Sequence, residues 1–196
     1  RDLEVNAAGT FNLLELARDN EVKTFVHVST GSVYGVAKEF PTDENHPLNP
    51  TSYYGVSKLA GEKYGRAFSD LYNLDVSMLR YYHVYGAKQD SGEFGGVIGI
   101  FSDKALRNQG ITIYGDGSQI RSFTHVKDVV NINKIVALKG GKGEAYNCAS
   151  GLKVTINEIA EKIISLAGSV SEVKYEDWKV GDIKDFDVSH EKLKNL

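Results

Sequence analysis

Tyr54 and Lys58 stand four residues apart in Ser52-Tyr53-Tyr54-Gly55-Val56-Ser57-Lys58, a spacing that sets a phenol beside an ammonium on a helix. A free tyrosine titrates near pH ~10, and an adjacent cation favours its phenolate, so such a pair can accept a proton near neutrality. The spacing alone is weak, because 11 tyrosines in 196 residues give three Tyr-x-x-x-Lys pairs where chance gives about one. Tyr34 with Lys38 falls in a Gly-containing loop and Tyr175 with Lys179 lies beside a strand-like run. Only Tyr54 with Lys58 sits at a helix start.

That helix has Thr51 or Ser52 as its cap and an expected apolar stripe of Val56, Ala60, Tyr64, Ala67 and Leu71, ending at Asn73. Before it, Phe11, Leu14 and Ala17, with Leu13 and Leu16 alongside, recur at helical spacing through about Asn20. Thr24-Phe25-Val26-His27-Val28 follows as a β-branched and aromatic run expected to be a strand buried on both faces. His27 is read as a core residue without a chemical role. From Ser29 to Ser52 the glycines and three prolines leave a long connection, and connections of that length are usually functional or disordered. It opens with Ser29-Thr30-Gly31-Ser32 at the strand's carboxyl end, where open parallel sheets place ligands. Val76 to Tyr82 forms a second strand that runs into His83-Val84-Tyr85-Gly86. Strand, long loop, helix and strand make a parallel crossover, so the chain reads as α/β with both strand ends on one edge.

Past Gly86 a Gly-rich loop, a helix from about Val97 to Gln109 and a strand from Ile111 to Tyr114 read as a smaller grafted unit. Gly115-Asp116-Gly117-Ser118 is a turn and Arg121-Ser122-Phe123-Thr124 a short extended piece. A helix with Val126, Val129, Val130 and Val136 stops at Gly140, and Ala145 to Cys148 is strand-like. Thr155-Ile156-Asn157-Glu158 is a capping box opening a helix to Ala167. A strand at Val173 to Tyr175, a turn at Gly181-Asp182 and a last helix from Ser189 complete the pattern.

The composition, 41% hydrophobic and 25% charged with a net charge of -3, is that of a globular chain with a sizeable core. It offers no basic stripe for nucleic acid and no apolar run long enough for a bilayer, so neither is expected as a partner. Cys148 is the single cysteine, which fits a reducing compartment and a cytoplasmic location, and no metal site is expected. The chain begins without Met and runs straight into a helical pattern, so it is expected to be a piece of a longer protein.

In this order, Asn6-Ala7-Ala8-Gly9-Thr10, Val28-Ser29-Thr30-Gly31-Ser32-Val33-Tyr34-Gly35, Tyr54-Gly55-Val56-Ser57-Lys58, Leu79-Arg80-Tyr81-Tyr82-His83-Val84-Tyr85-Gly86 and Tyr114-Gly115-Asp116-Gly117 leading to Arg121-Ser122-Phe123-Thr124-His125-Val126 resemble the extended short-chain dehydrogenase/reductase family. Within it the likeness is to the NAD-dependent nucleotide-sugar epimerases and dehydratases. The resemblance implies the later part of a doubly wound parallel-sheet (Rossmann) domain, residues 1–86 with 120–148 returning to it. Residues 87–119 and 149–196 would form a smaller α/β domain for a nucleotide sugar, most simply a UDP-sugar. The family's opening Gly-rich motif, which holds the cofactor pyrophosphate, is not among these residues, so this chain by itself is expected to bind NAD poorly.

The resemblance further implies Tyr54 as base, Lys58 on the cofactor ribose and Thr30 on the sugar hydroxyl. Asn6, Ser29 and the Tyr82 backbone would lie near the cofactor, and Arg121 would hold the substrate diphosphate. Gly96 and Val97 match a stretch near the nucleotide base, His83 stands where relatives have Asn, and Lys179 stands where they often have Arg. Dehydratases of the family place Asp-Glu after the threonine and decarboxylases a Glu, whereas this chain has Gly31-Ser32, which points to epimerisation through a 4-keto sugar. Reduction or dehydration of a nucleotide sugar and a catalytically silent dinucleotide-binding protein are the alternatives. Relatives commonly pair as homodimers through the first helix here and the Tyr/Lys helix.

Overall fold

Three parallel strands carry the part of the molecule on which the tyrosine helix rests. The computed structural model describes residues 1–92, 95–179, 184 and 186–196. A π-helical segment, Leu3–Ala8, leads into α1 (Gly9–Asp19), where one continuous helix was expected. Then come β1 (Thr24–Thr30), a 3-10 turn (Gly31–Tyr34), α2 (Tyr53–Tyr72) and β2 (Asp75–Tyr81). The sheet is completed much later by β7 (Glu144–Cys148) and has the order β1-β2-β7. Its register aligns Ser29 with Arg80 and Arg80 with Asn147, and, one step on, Thr30 with Tyr81 and Tyr81 with Cys148.

Ser52 caps α2 by accepting the Gly55 amide at 3.0 Å, and Asn73 ends it in the left-handed region at φ 54°. The apolar stripe expected to bury α2 does the reverse: Val56 is 54% and Leu71 72% exposed, and Tyr64 and Ala67 are exposed as well. The face that meets the sheet is made of Gly55, Ser57, Gly61, Glu62, Gly65 and Phe68. Glycines there permit close approach: a Cβ on Gly65 would stand 3.0 Å from Val76, and one on Gly61 would stand 2.7 Å from the His27 ring. Apolar periodicity misassigned the face because helix and sheet lie too close for larger side chains. β1 sends Phe25 into the core beside α1 and α2 and Val26 into the one beside α4, as expected of a strand covered on both faces, and only Val28 near its carboxyl end is exposed.

Leu14, Ala17, Phe68, Leu74, Val76 and Met78 form the core between α1, α2 and the sheet. On the other side α4 (Val126–Lys139) packs Val129 and Val136 against Leu79, Tyr146 and Cys148.

The second core belongs to the segments after residue 84. β3 (Val84–Tyr85) pairs with β6 (Thr124–His125), β4 (Ile111–Tyr114) with β9 (Val173–Glu176), and β5 (Ile120–Arg121) with β8 (Val154–Thr155). The piece read as one extended run from Arg121 to Thr124 is thus split between two small sheets. α3 (Val97–Leu106), shorter than expected, and α5 (Ile156–Ala167) bury Phe101, Ala105, Ile111, Ile113, Phe123, Ile156 and Ala160. The capping box is present, Thr155 accepting the Glu158 amide at 3.2 Å and Glu158 accepting the Thr155 amide at 2.7 Å.

The tail returns to the first core, with Val188 bridging Thr42 in parallel and α6 (Glu191–Lys194) beginning two residues later than expected. The expected turn at Gly181-Asp182 lies outside the described residues. Among the described residues no helix is long and apolar enough to cross a membrane, and no cluster of His, Cys, Asp and Glu is arranged to hold a metal.

Candidate active site

Tyr54 and Lys58 occupy the first two turns of α2, and neither side-chain tip has a hydrogen-bond or ion-pair partner among the described residues. Tyr54 is 44% exposed, and Lys58 is half-buried, so desolvation pulls its ammonium pKa below the usual lysine value while Glu62, one turn on, opposes the shift. Between them Ser57 donates to the Tyr54 carbonyl at 2.8 Å and accepts from Asn6 Nδ2 at 3.0 Å. The expected cofactor residue Asn6 is therefore tied to α2. His27, buried behind it, is pushed down to about 4 by burial and then by Lys58, and its Nε2 has no partner.

Thr30 ends β1 and caps the 3-10 turn, its Oγ1 accepting the Ser32 amide at 3.2 Å. That turn is pressed onto α2: a Cβ on Gly55 would stand 2.8 Å from the Ser32 carbonyl oxygen and 2.9 Å from Pro50. Thr30 and Tyr54 are thereby carried on two elements in direct contact. Ser29 differs from expectation, since its hydroxyl is buried and donates to Glu62 Oε1 at 2.5 Å, leaving only its main chain for a cofactor. Tyr82 likewise turns its phenol inward to Asn147 Oδ1 at 3.2 Å, and burial pushes its pKa well above 10. The Tyr82 ring packs on Gly31, where a Cβ would meet it at 2.2 Å.

His83, next along the chain, starts the second half of the site. His83, Val97, Arg121 and Lys179 line one cleft of about 400 Å³, together with Tyr114 and Gln119. Gly96 is the N-cap of α3 and lines a small adjoining cavity with His83 and Val97. His83 adopts φ 31°, and its ring contacts those of Phe123 and Phe186 at 5.5 and 5.1 Å between centroids. Burial first, then Arg121, pulls its pKa down to about 4, so at neutral pH the imidazole is uncharged, with Nδ1 unpartnered. Arg121 is buried, donates to the Ile120 and Lys184 carbonyls at 3.0 and 2.6 Å, and lies over the Phe186 ring. The Lys179 ammonium sits 4.1 Å from the Tyr114 ring centroid.

Phe186 also packs on Tyr82, so it joins the two halves. The spacing from Asp182 to Asp187 is shorter than is usual in the family that the sequence resembles, so the sequence did not fix the register of Phe186. Trp178, readable as packing or as a substrate wall, lies against Gly115 and lines a broad open groove of about 920 Å³ with Asp116, Glu176 and Asp177. None of the residues expected to do chemistry lines that groove.

Residues 1–149 match the NAD dependent epimerase/dehydratase family. The chain belongs to that family. Another member, the UDP-glucose 4-epimerase of Mycolicibacterium smegmatis, is 36% identical over 184 residues, covering 93% of this chain and 59% of its own length. Among solved members, the UDP-glucose 4-epimerase of Thermotoga maritima with UDP-glucose superposes with a TM-score of 0.94 at 33% identity, over 98% of this chain and 63% of that one. A dTDP-glucose 4,6-dehydratase of Streptomyces venezuelae with NAD bound gives 0.90 at 30% identity, over 98% and 59%. The fold is thus the Rossmann type of these epimerases and dehydratases, and the chain spans about three fifths of the relatives' length.

The family's cofactor is NAD, and the residues present fit it. Among the described residues the Lys58 ammonium is unpartnered and so can meet ribose hydroxyls, and Ser29 and Tyr82 stand one residue before the end of β1 and one after the end of β2, on neighbouring parallel strands.

Proposed function

We propose that this chain carries the catalytic and substrate-binding residues of an NAD-dependent nucleotide-sugar 4-epimerase acting on a UDP-hexose. The observation that carries this reading is the unpartnered Tyr54/Lys58 pair packed, through Gly55, against a turn that opens Thr30-Gly31-Ser32. When bound, NAD supplies the hydride acceptor. Thr30 hydrogen-bonds the sugar 4-hydroxyl and Tyr54 takes its proton as hydride leaves C4. Lys58, one turn on, holds the ribose and brings positive charge to the side of α2 that carries Tyr54. Epimerisation would follow if the 4-keto sugar turned in the cleft before taking back hydride, with Tyr54 returning the proton to the sugar oxygen. Elimination of water needs a further acid and base beside the threonine, and Gly31 and Ser32 are neither.

Arg121 and Lys179 are the cations for the diphosphate, and neutral His83 offers one hydrogen bond. Gly96 and Val97 border the nucleotide. Asn6 supports the cofactor side through Ser57. Two domains divide this work, residues 1–86 with 120–148 for the cofactor and 87–119 with 149–196 for the sugar nucleotide. The buried, free Cys148 suits a cytoplasmic enzyme.

The test is to follow UDP-, GDP- and dTDP-sugars by NMR with the full-length protein. Interconversion of UDP-glucose and UDP-galactose without change of mass is expected. Loss of water from the sugar would replace epimerisation by dehydration, and full activity in Tyr54→Phe would remove the mechanism.

A further inference from the structure

Resting on the reading that α2 carries the proton acceptor, we propose that the buried Glu62–Arg80 pair is a positioning device. It sets the roll of α2 over the sheet and so aims Tyr54 and Lys58 at the turn after β1.

The sheet register places Ser29, Arg80 and Asn147 side by side on β1, β2 and β7, all three buried. Glu62 descends onto this polar row from α2. Its Oε2 accepts from Arg80 Nη2 at 2.7 Å, and its Oε1 accepts from Arg80 Nε at 3.0 Å and from Ser29 Oγ at 2.5 Å. The remaining guanidinium nitrogen, Nη1, donates to Tyr34 Oη at 2.6 Å, and Tyr34 donates onward to Asn147 Oδ1 at 2.8 Å. Asn147 Oδ1 also receives the Tyr82 hydroxyl, and its amide nitrogen donates to the Thr42 and Ser189 carbonyls. A two-pronged guanidinium–carboxylate bond fixes orientation as well as distance.

The device acts on the chemistry because of what it joins. Tyr54, Lys58 and Glu62 follow one another at four-residue steps along one side of α2, so a roll of the helix moves all three together. Around Glu62 the packing face of α2 is Gly55, Ser57, Gly61 and Gly65. These residues let the helix approach closely and resist a roll little; the large side chains that α2 packs inward are Phe68, a turn and a half beyond Glu62, and the partly buried Leu59, so near the catalytic turns the orientation rests chiefly on Glu62. At its other end the network grips Tyr34, the last residue of the turn that Thr30 caps, and Ser29, the residue before Thr30. One network therefore indexes the base, the lysine and the threonine against each other, while Glu62 and Arg80 themselves lie outside the cleft lined by His83 and Arg121. Both members of the pair are only 3% exposed.

Removing a single partner leaves a buried charge and threatens folding, whereas replacing both with apolar side chains of similar size is tolerated. The experiment therefore uses Glu62→Met/Arg80→Met in the full-length protein, with UDP-glucose as substrate. Cooperative melting is expected to persist. The kcat should fall ten- to a hundredfold with KM changed less than threefold, because the cleft is built on the other core. Amide exchange in the first two turns of α2 should quicken at least tenfold while the core strands stay protected.

Arg80→Lys, which keeps the charge but loses the fork, should lower kcat three- to tenfold at unchanged KM, and decides the matter if the double variant fails to fold. Wild-type kcat in either folded variant, or unchanged exchange in α2, overturns the proposal. If Tyr54→Phe is inactive while the pair variants are fully active, only the positioning role falls. If Tyr54→Phe is fully active, the catalytic reading falls with it.

Discussion

Single residues in this chain carry their chemistry through what surrounds them. If Tyr54 is the general base proposed above, Tyr54→Phe deletes it, and turnover is expected to drop about 10²- to 10⁴-fold with binding of UDP unchanged by calorimetry. Arg121→Lys keeps the charge but replaces the fork with a point, and KM for the sugar nucleotide should rise more than kcat falls. His27 and His83 give a stability signature. Each is held at about 4 by burial against about 6.5 in the unfolded chain. Above pH ~6.5 both states are neutral and stability is flat. As pH falls from there toward 4 the unfolded state takes up protons that the folded one refuses, so stability declines. The ceiling is about 3 kcal/mol for each histidine. Thermal melts between about pH 7.5 and about pH 5 should show a smaller loss in His83→Asn than in the parent, and an equal loss would show that this imidazole is solvated.

At the scale of elements the contact between α2 and the 3-10 turn is the sensitive one. Gly55→Ala adds a Cβ 2.8 Å from the Ser32 carbonyl, an overpacking that costs about 1–3 kcal/mol. It separates the tyrosine from the threonine, so activity should fall further than the lowered Tm explains. Ser52→Ala removes only the cap, about 1 kcal/mol, and should leave turnover per folded molecule intact.

The elements whose signals are local were legible in the sequence. The capping box at Thr155 and Glu158, the β-branched run of β4 and the Tyr/Lys helix start needed nothing beyond neighbouring residues. The packing face of α2 was not, because apolar periodicity assumes that helices are buried by large side chains, and this one is buried mostly by glycines, with Ser57, Glu62 and a single large apolar residue, Phe68. Nor could Glu62 be matched with Arg80 or Tyr34 with Asn147, since pairings between distant segments leave no trace in spacing. The site residues were found through a resemblance. Physical pattern alone singled out Tyr54 and Lys58, and left Thr30 in a hydroxyl-rich turn.

For the molecule as a whole, the exposed apolar stripe has a consequence for assembly. Leu13 and Leu16 on α1 lie exposed, as do Val56, Tyr64 and Leu71 on α2, and exposed apolar residues gathered on adjoining helices mark interaction surfaces. We propose that two copies bury it as a four-helix bundle. Light scattering of the full-length protein should give a dimer, and Val56→Glu/Leu71→Glu should give a monomer; a monomeric parent would refute this. The 196-residue chain by itself should show no tight NAD binding, and stoichiometric NAD in the purified chain would contradict that.

The union of Thr42 with Val188, reinforced by Asn147 holding both backbones, bears on how the chain matures during synthesis. The loop that follows Thr30 gains this part of its anchorage only when residue 188 has left the ribosome, and contacts so distant in sequence form slowly. Until then, the early part of the molecule holds its sheet but has an unfastened rim. A nascent chain stalled before residue 188 should be cut by protease around residue 42, and one released in full should resist.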